Sequence, residues 1–236
     1  RAVGVDVVRN IPQIAHHGDK IIFDSAELNP TLHEDMTRFF STFIRISDDP
    51  SDVKHPGEFL VSPYLEGEGI VNGCVVDPRY YEPLPKTIPM ALFFGDDDYE
   101  KDLERLQGVF ASQKMDLLMG FYHFLGYEKT LASSFSTIHE SEEYDNVIRH
   151  TDILISASPQ AVLENFAGGG RPVYLQRPDY PKDFIPLFRS MGVPILEYID
   201  QEYLIKSISN ASSNKYHNVE KRYTQITDFI KETFAL

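Results

Sequence analysis

Residues Thr151 to Gln176 read TDILISASPQAVLENFAGGGRPVYLQ, and this stretch decides the fold. Ile153, Leu154 and Ile155 form an apolar run fit for a buried strand, and Ser156-Ala157-Ser158 is a small-residue turn. Pro159 follows at the first helical position, where its fixed φ suits the helix and its missing N–H costs nothing. Ser158 is then the natural N-cap, its hydroxyl placed to accept from an amide of the first turn. Ala161, Val162 and Phe166 supply an apolar helix face, and Gly168-Gly169-Gly170 stops it. Arg171-Pro172 leads into a second buried strand, Val173-Tyr174-Leu175. Two parallel strands need such a helical crossover, so the unit reads as β-α-β.

The turn of that unit also carries chemistry. Amides at a helix N-terminus bear partial positive charge and donate hydrogen bonds to phosphate oxygens. Glu164 lies six residues after Ser158, between one and two turns into the helix. A carboxylate there is placed to accept from the two hydroxyls of a ribose whose phosphates occupy the helix start. The plainer alternative is an ordinary β-α-β unit with a solvated glutamate, since folds recur without sharing functions.

Composition narrows the partners. The chain has 236 residues, 42% of them hydrophobic, which is enough for one large or two small domains. A formal net charge of -14 and a pI near 4.9 argue against nucleic acid, whose phosphates need basic patches. The single Cys74 forbids an internal disulfide and fits a reducing, cytoplasmic setting. No apolar run approaches the roughly 20 residues of a membrane span, and no signal-peptide pattern opens the chain. No basic amphipathic face points to a membrane surface either. The chain opens on Arg1 and at once on an apolar strand, which reads as a fragment lacking its upstream part.

From the amino end the pattern predicts a strand over Ala2 to Val8, a short helix over Ile11 to His17, and a strand over Lys20 to Asp24. A helix from Pro30 to Arg38 and a strand from Phe39 to Ile46 continue the alternation. Strands alternating with helices mean an α/β fold with a largely parallel sheet. The stretch VSPYLEGEGIVNGCVVDPRYYEPLP is dense in Gly and Pro and reads as an interdomain segment, with the boundary near Pro85. The rhythm restarts with a strand at Met90 to Phe94, a turn at Gly95-Asp96-Asp97-Asp98, and a helix over Tyr99 to Gln113. Leu103, Leu106, Val109 and Phe110 share one face of that helix. Strands at Asp116 to Tyr122 and Ser133 to Ile138 and a helix at Glu140 to Arg149 then lead into the opening unit. A helix over Phe184 to Met191, a strand over Val193 to Tyr198 and two polar helices, Gln201 to Asn210 and Asn218 to Phe234, close the chain.

The second half, with SFSTIHESEEYDNVIRHTDILISASPQAVLENFAGGGRPVYL at its centre, resembles the carboxy-terminal domain of GT-B nucleotide-sugar glycosyltransferases. It is most similar to the MurG-like transferases and the PseG-like nucleotide-sugar hydrolases. IVNGCVVDPRYYEPLP (Ile70 to Pro85) resembles the connector that enters the second domain of such proteins. The resemblance covers about residues 60 to 200. It implies two Rossmann-like domains, an incomplete acceptor-side domain over residues 1–85 and a nucleotide-sugar-binding domain over 86–236. It places Ser156, Ala157, Ser158, Pro159 and Gln160 around the phosphates, Glu164 on the ribose, and Thr137, Ile138 and His139 beside the base. The implied partners are a nucleotide-sugar donor, a UDP-sugar by preference, and a glycan or small-molecule acceptor, with no cofactor and no metal. Three features depart from the family: Ser158-Pro159 replaces glycine, three aspartates follow Gly95, and the glycine-rich loop of the amino-terminal domain is absent. That loop often bears the catalytic base, so no base is assigned.

Other residues invite two readings each. Asp96, Asp97 and Asp98 resemble a metal–diphosphate cluster, but Asp97 or Asp98 as a helix cap is the better account. His16 and His17, adjacent on a short helix, point to different sides and make a poor metal pair. His123 and His139 lie at strand ends facing the expected cleft. Arg171 and Arg177 flank a strand, and Arg177 sits at its carboxyl end, where ligands of open α/β sheets collect; it is a candidate phosphate or sugar contact. Asp24, Glu27 and Asn29 end the second strand, where one of them is a candidate acid–base group; helix capping by Ser25 or Asn29 is the alternative. Aromatic residues make up 12% of the chain without any Trp, and core filling is their default role. The expected activity is metal-independent glycosyl transfer; hydrolysis of a nucleotide sugar and non-catalytic binding are the alternatives.

Overall fold

The structure is a computed structural model that describes residues 18–24, 28–47, 49, 51–73, 76–178, 180, 182, 184–197, 206 and 229–233. The expected strand at 2–8, the helix at 11–17 with His16 and His17, and Ser25, Glu27 and Cys74 lie outside these residues. So do the helix at 201–210, save position 206, and most of 218–234, of which 229–233 is helical. The chain divides into two compact units, residues 1–75 with 220–236, and residues 76–219. The division thus lies ahead of the Pro85 position read from the sequence. Residues 78–85 stay with the second unit because Tyr80 is buried there and its hydroxyl donates to Asp145.

Among the described residues the first unit holds a four-stranded parallel sheet in the order β1-β2-β3-β4. These strands are β1 (Lys20–Asp24), β2 (Thr42–Ile46), β3 (Phe59–Ser62) and β4 (Ile70–Asn72). Helix α1 (Pro30–Phe39) connects the first two, capped by Asn29, whose side chain accepts from the Leu32 amide at 2.9 Å. It buries Leu32 and Met36 against Phe40 and Phe43. The end of β3 and all of β4 lie within the Gly- and Pro-rich stretch read as a linker, and correct that reading. At four and three residues they are too short to show a period. Sheet pairing and burial of Leu60 and Val61 hold them in place. Buried in this unit, Arg45 donates to both carboxylate oxygens of Glu58, at 3.0 and 2.8 Å. Phe229 and Ile230 pack beside Ile44 and Val61.

Among the described residues the second unit holds a six-stranded parallel sheet. Its strands are β5 (Ile88–Phe93), β6 (Asp116–Leu118), β7 (Ile138–His139), β8 (Thr151–Ser156), β9 (Val173–Gln176) and β10 (Ile195–Glu197). They lie in the order β7-β6-β5-β8-β9-β10, so successive crossovers run outward from β5 and then reverse to the other side. The helices are α2 (Asp102–Ala111), α3 (Tyr127–Leu131), α4 (Tyr144–His150), α5 (Pro159–Ala167) and α6 (Phe184–Met191). β5 and β8 are the central pair, and their run of Ala91, Leu92, Leu154 and Ile155 is fully buried, as strands covered on both faces must be. The expected strand over 133–138 shrinks to Ile138–His139, because residues 132–134 are turn and only Ile138 and His139 register with β6. The helix expected from Tyr99 begins at Asp102, after a left-handed Lys101.

Candidate functional site

Ligands of open α/β sheets bind beyond the carboxyl ends of the strands, where the strand order reverses. In the second unit that point lies between β5 and β8, and a cleft of about 350 Å3 opens there. Phe93 and Asp96 line it from β5 and the loop that follows, Met119 and Phe121 from beyond β6. Ser141 and Tyr144 enter after β7, Ser158 and Gln160 after β8. The loops after β5 and β6 touch backbone to backbone: a Cβ on Gly120 would stand 2.3 Å from the Gly95 carbonyl oxygen, so only glycine fits.

Helix α5 starts as its sequence predicts. Ser158 is the N-cap with extended backbone, its hydroxyl accepts from the Ala161 amide at 3.3 Å, and Pro159 opens the helix. The turn before it is tightly tied. Ser156 donates its buried hydroxyl to the Phe93 carbonyl at 2.8 Å and accepts from the Ser158 amide at 3.0 Å. The Ala157 amide donates to the Phe93 carbonyl at 3.2 Å. The turn's amides at 157, 158 and 161 therefore already have partners, and the Ser158–Ala161 bond is the longest of them.

Glu164 faces α4 and is only 7% exposed. Tyr144 donates its hydroxyl to one carboxylate oxygen at 2.7 Å, and the Gln160 amide donates to the other at 2.9 Å. Burial raises the carboxyl pKa above its usual value, and the hydrogen bonds from Gln160 and Tyr144 pull against that shift. Burial and the adjacent Glu164 also push the Tyr144 hydroxyl well above its usual range, so it stays a donor. The Tyr144 ring meets Phe93 edge to face, with centroids 5.2 Å apart. The next residue of α5, the fully buried Asn165, donates to the carbonyls of Ile148 and Thr151, at 3.0 and 2.9 Å. That anchors α5 to the junction of α4 and β8.

Of the expected site residues Ser158 and Gln160 line this cleft, Glu164 lies buried behind them against the cleft-lining Tyr144 and Gln160, and others are held elsewhere. Ile138 and His139 are on the edge strand β7, and His139 contacts Asp116 at 3.1 Å and Glu143 at 3.5 Å. Arg177 is 6% exposed and bonded to Asp97 through its carbonyl at 3.2 Å and its carboxylate at 3.3 Å. Its guanidinium stacks on Phe94 and Tyr180, 4.7 and 4.1 Å from the ring centroids. Arg171 pairs with Asp152. His123 accepts from the Gly120 amide at 3.2 Å, and burial lowers its pKa.

The three aspartates after Gly95 diverge. Asp96 lines the cleft, Asp97 holds Arg177 and Tyr180, and Asp98 turns inward. Asp98 accepts from the amides of Asp102 and Leu103, at 2.8 and 3.1 Å, and from the Tyr127 hydroxyl at 2.7 Å. It thus caps α2 from outside the N-cap position. Among the described residues no three His, Cys, Asp or Glu side chains converge as a metal-binding group. Tyr144, Asn165, Phe93 and Met119 were missed from the sequence. Their roles depend on contacts between elements and leave no local spacing signal.

No protein-family model and no curated protein matches the sequence. Solved structures do. MurG of Acinetobacter baumannii superposes with a TM-score of 0.55 at 11% identity, over 88% of this chain and 68% of that one. The chain has the GT-B fold. A second GT-B neighbour, the spinosyn rhamnosyltransferase SpnG complexed with thymidine diphosphate, aligns with a TM-score of 0.56 at 10% identity, over 94% of this chain and 74% of that one. A putative UDP-N-acetylglucosamine 2-epimerase from Listeria monocytogenes aligns with a TM-score of 0.55 at 13% identity, over 97% and 77%. Among the described residues no helix is long and apolar enough to cross a membrane.

Proposed function

We propose that the protein is a glycosyltransferase that uses a nucleoside-diphosphate-sugar donor, a UDP-sugar by preference, and a glycan or small-molecule acceptor. The observation that carries the reading is the cleft at the β5/β8 reversal, lined by Ser158 and Gln160 at the start of α5, with Glu164 bonded to the cleft-lining Tyr144 and Gln160. The diphosphate sits at the Ser158–Gln160 turn, where the helix dipole favours negative charge. The Ala161 amide, held at 3.3 Å by Ser158, is the donor most readily exchanged. Glu164 takes the ribose hydroxyls in exchange for Tyr144 or Gln160, and the base lies toward the loop after Ile138 and His139. As the glycosidic bond breaks, charge builds on the leaving diphosphate, and fixed dipoles aimed at it lower the barrier. The reaction needs no metal in this reading, since Asp97 and Asp98 are committed to protein partners.

Calorimetric titration with UDP, TDP, GDP, ADP and CMP tests it. One nucleotide should bind saturably with EDTA present, and Glu164→Ala should weaken it about tenfold, roughly 1.4 kcal/mol. Incubating the matching donor with water alone then separates transfer from hydrolysis, because a transferase leaves most of it intact. Failure of every nucleotide to bind would overturn the reading, and binding abolished by EDTA would overturn its metal independence.

A further inference from the structure

The loop after β6, Gly120 to Gly126, reads GFYHFLG and puts its large apolar side chains outward. Phe121 is 69% exposed, Tyr122 62%, Phe124 44%, and Leu125 wholly so. Exposed Tyr99 extends the patch, its ring 6.5 Å from that of Phe124, and Phe121 meets Tyr122 at 5.1 Å. Contiguous exposed apolar surface marks an interaction site more often than scattered residues do.

The exposure is built in by the backbone. The Tyr122 amide donates to the Asp96 carbonyl at 2.8 Å, and the Tyr127 amide to the Phe124 carbonyl at 3.0 Å. Tyr127 is buried and bonded to Asp98, so it anchors the loop while its neighbours face solvent. From Gly120 to Tyr127 the only ionisable groups besides tyrosine hydroxyls are those of His123, which burial keeps neutral at pH 7. The Lys101 ammonium lies 5.7 Å from the Phe124 ring centroid, at the rim of the patch.

We propose that this loop docks the protein on a neutral, zwitterionic lipid bilayer, inserting Leu125 and Phe124 and leaving Tyr99 and Tyr122 at headgroup depth. Tyrosine favours that interfacial position, and an uncharged loop enters without the cost of burying charge. Lys101, paired with Glu104 at 3.4 Å, exchanges that partner for headgroup phosphates at the rim. The charge of -14 selects against anionic lipid, so insertion and not electrostatic attraction drives the contact. Phe121 belongs both to the patch and to the wall of the cleft, so the cleft opens beside the docked face.

The chain has no Trp, so Leu125→Trp supplies a sole tryptophan at the centre of the patch, which can be excited selectively over the tyrosines. With phosphatidylcholine vesicles its emission should shift to the blue and be quenched by brominated acyl chains. Co-sedimentation of the unaltered chain with these vesicles should fall about tenfold or more in Phe124→Ser/Leu125→Ser, from the apolar area withdrawn. Both positions are exposed, and far-UV circular dichroism checks that the variant is folded. Four results would overturn the proposal: no sedimentation of the unaltered chain, binding only when phosphatidylserine is present, equal binding by the double variant, or self-association through the patch without vesicle binding. None of these depends on whether a nucleotide binds.

Discussion

Removing the Tyr144 hydroxyl should destabilise the second unit by an amount that grows with pH. The hydroxyl donates at 2.7 Å to a glutamate that is 7% exposed, so little water can replace it. A hydrogen bond to an ionised group contributes roughly 1.5–3 kcal/mol, and one between neutral groups roughly 0.5–1.5. Burial raises the Glu164 pKa above 4.5, against the pull of Gln160 and Tyr144. Between the unfolded value and the raised folded value the native state holds the extra proton, so Glu164's contribution to stability falls as pH rises through that window. In Tyr144→Phe one of the groups favouring the carboxylate is gone, the folded pKa rises further, and the window extends upward.

The cost of Tyr144→Phe is therefore expected near the neutral-bond figure at the acid end and near the charged-bond figure above the window. That is a difference of roughly 1 kcal/mol or more. Urea unfolding from below the ordinary carboxyl value of 4.5 up to about pH 8 reads it. Tyr144 itself stays protonated throughout, since burial raises its pKa. The same substitution in a Glu164→Gln background should cost only the neutral figure, flat with pH, which closes a double-mutant cycle. A gap that does not change with pH, or one equally large in the Glu164→Gln background, would refute the coupling.

Two further outcomes follow from buried polar groups. Asn165→Leu removes the side-chain amide that donates to the Ile148 and Thr151 carbonyls, and should cost roughly 2–5 kcal/mol in the second unit's urea transition. Glu58→Gln leaves the buried Arg45 guanidinium short of its main counter-charge, and should lower the first unit's stability by roughly 3 kcal/mol or more, seen as an earlier transition in the same experiment.

What the sequence disclosed and what it hid divide along a physical line. The strand Thr151–Ser156, the Ser158 cap, Pro159 and the helix through Ala167 were legible because each is fixed by neighbours a few residues away. So was Asn29 as a cap. The strands at Phe59–Ser62 and Ile70–Asn72 were not, since three or four residues carry no period and the Gly and Pro between them read as a linker. Glu164 could be singled out from its place on one helix. That its oxygens are held by Tyr144 and Gln160 could be seen only in part, since Gln160 is one turn away and Tyr144 is twenty residues distant on another helix.

Arg177 shows the same division at its sharpest. A cation at the carboxyl end of a strand reads, by itself, as a phosphate ligand. The sheet order sets β9 two places from β5, with β8 between, and so brings Arg177 to Asp97, eighty residues earlier. Stacked between Phe94 and Tyr180, the guanidinium joins the loops after β5 and β9 across the end of β8. Drawing it onto a ligand would leave Asp97 facing the Tyr180 hydroxyl alone and would strip both rings from the cation. A bound phosphate would have to offset a charge-assisted contact and a desolvated stack before gaining anything from the arginine. The residue is better suited to fixing the loops that frame the cleft, which leaves the charge of an anionic ligand to the start of α5.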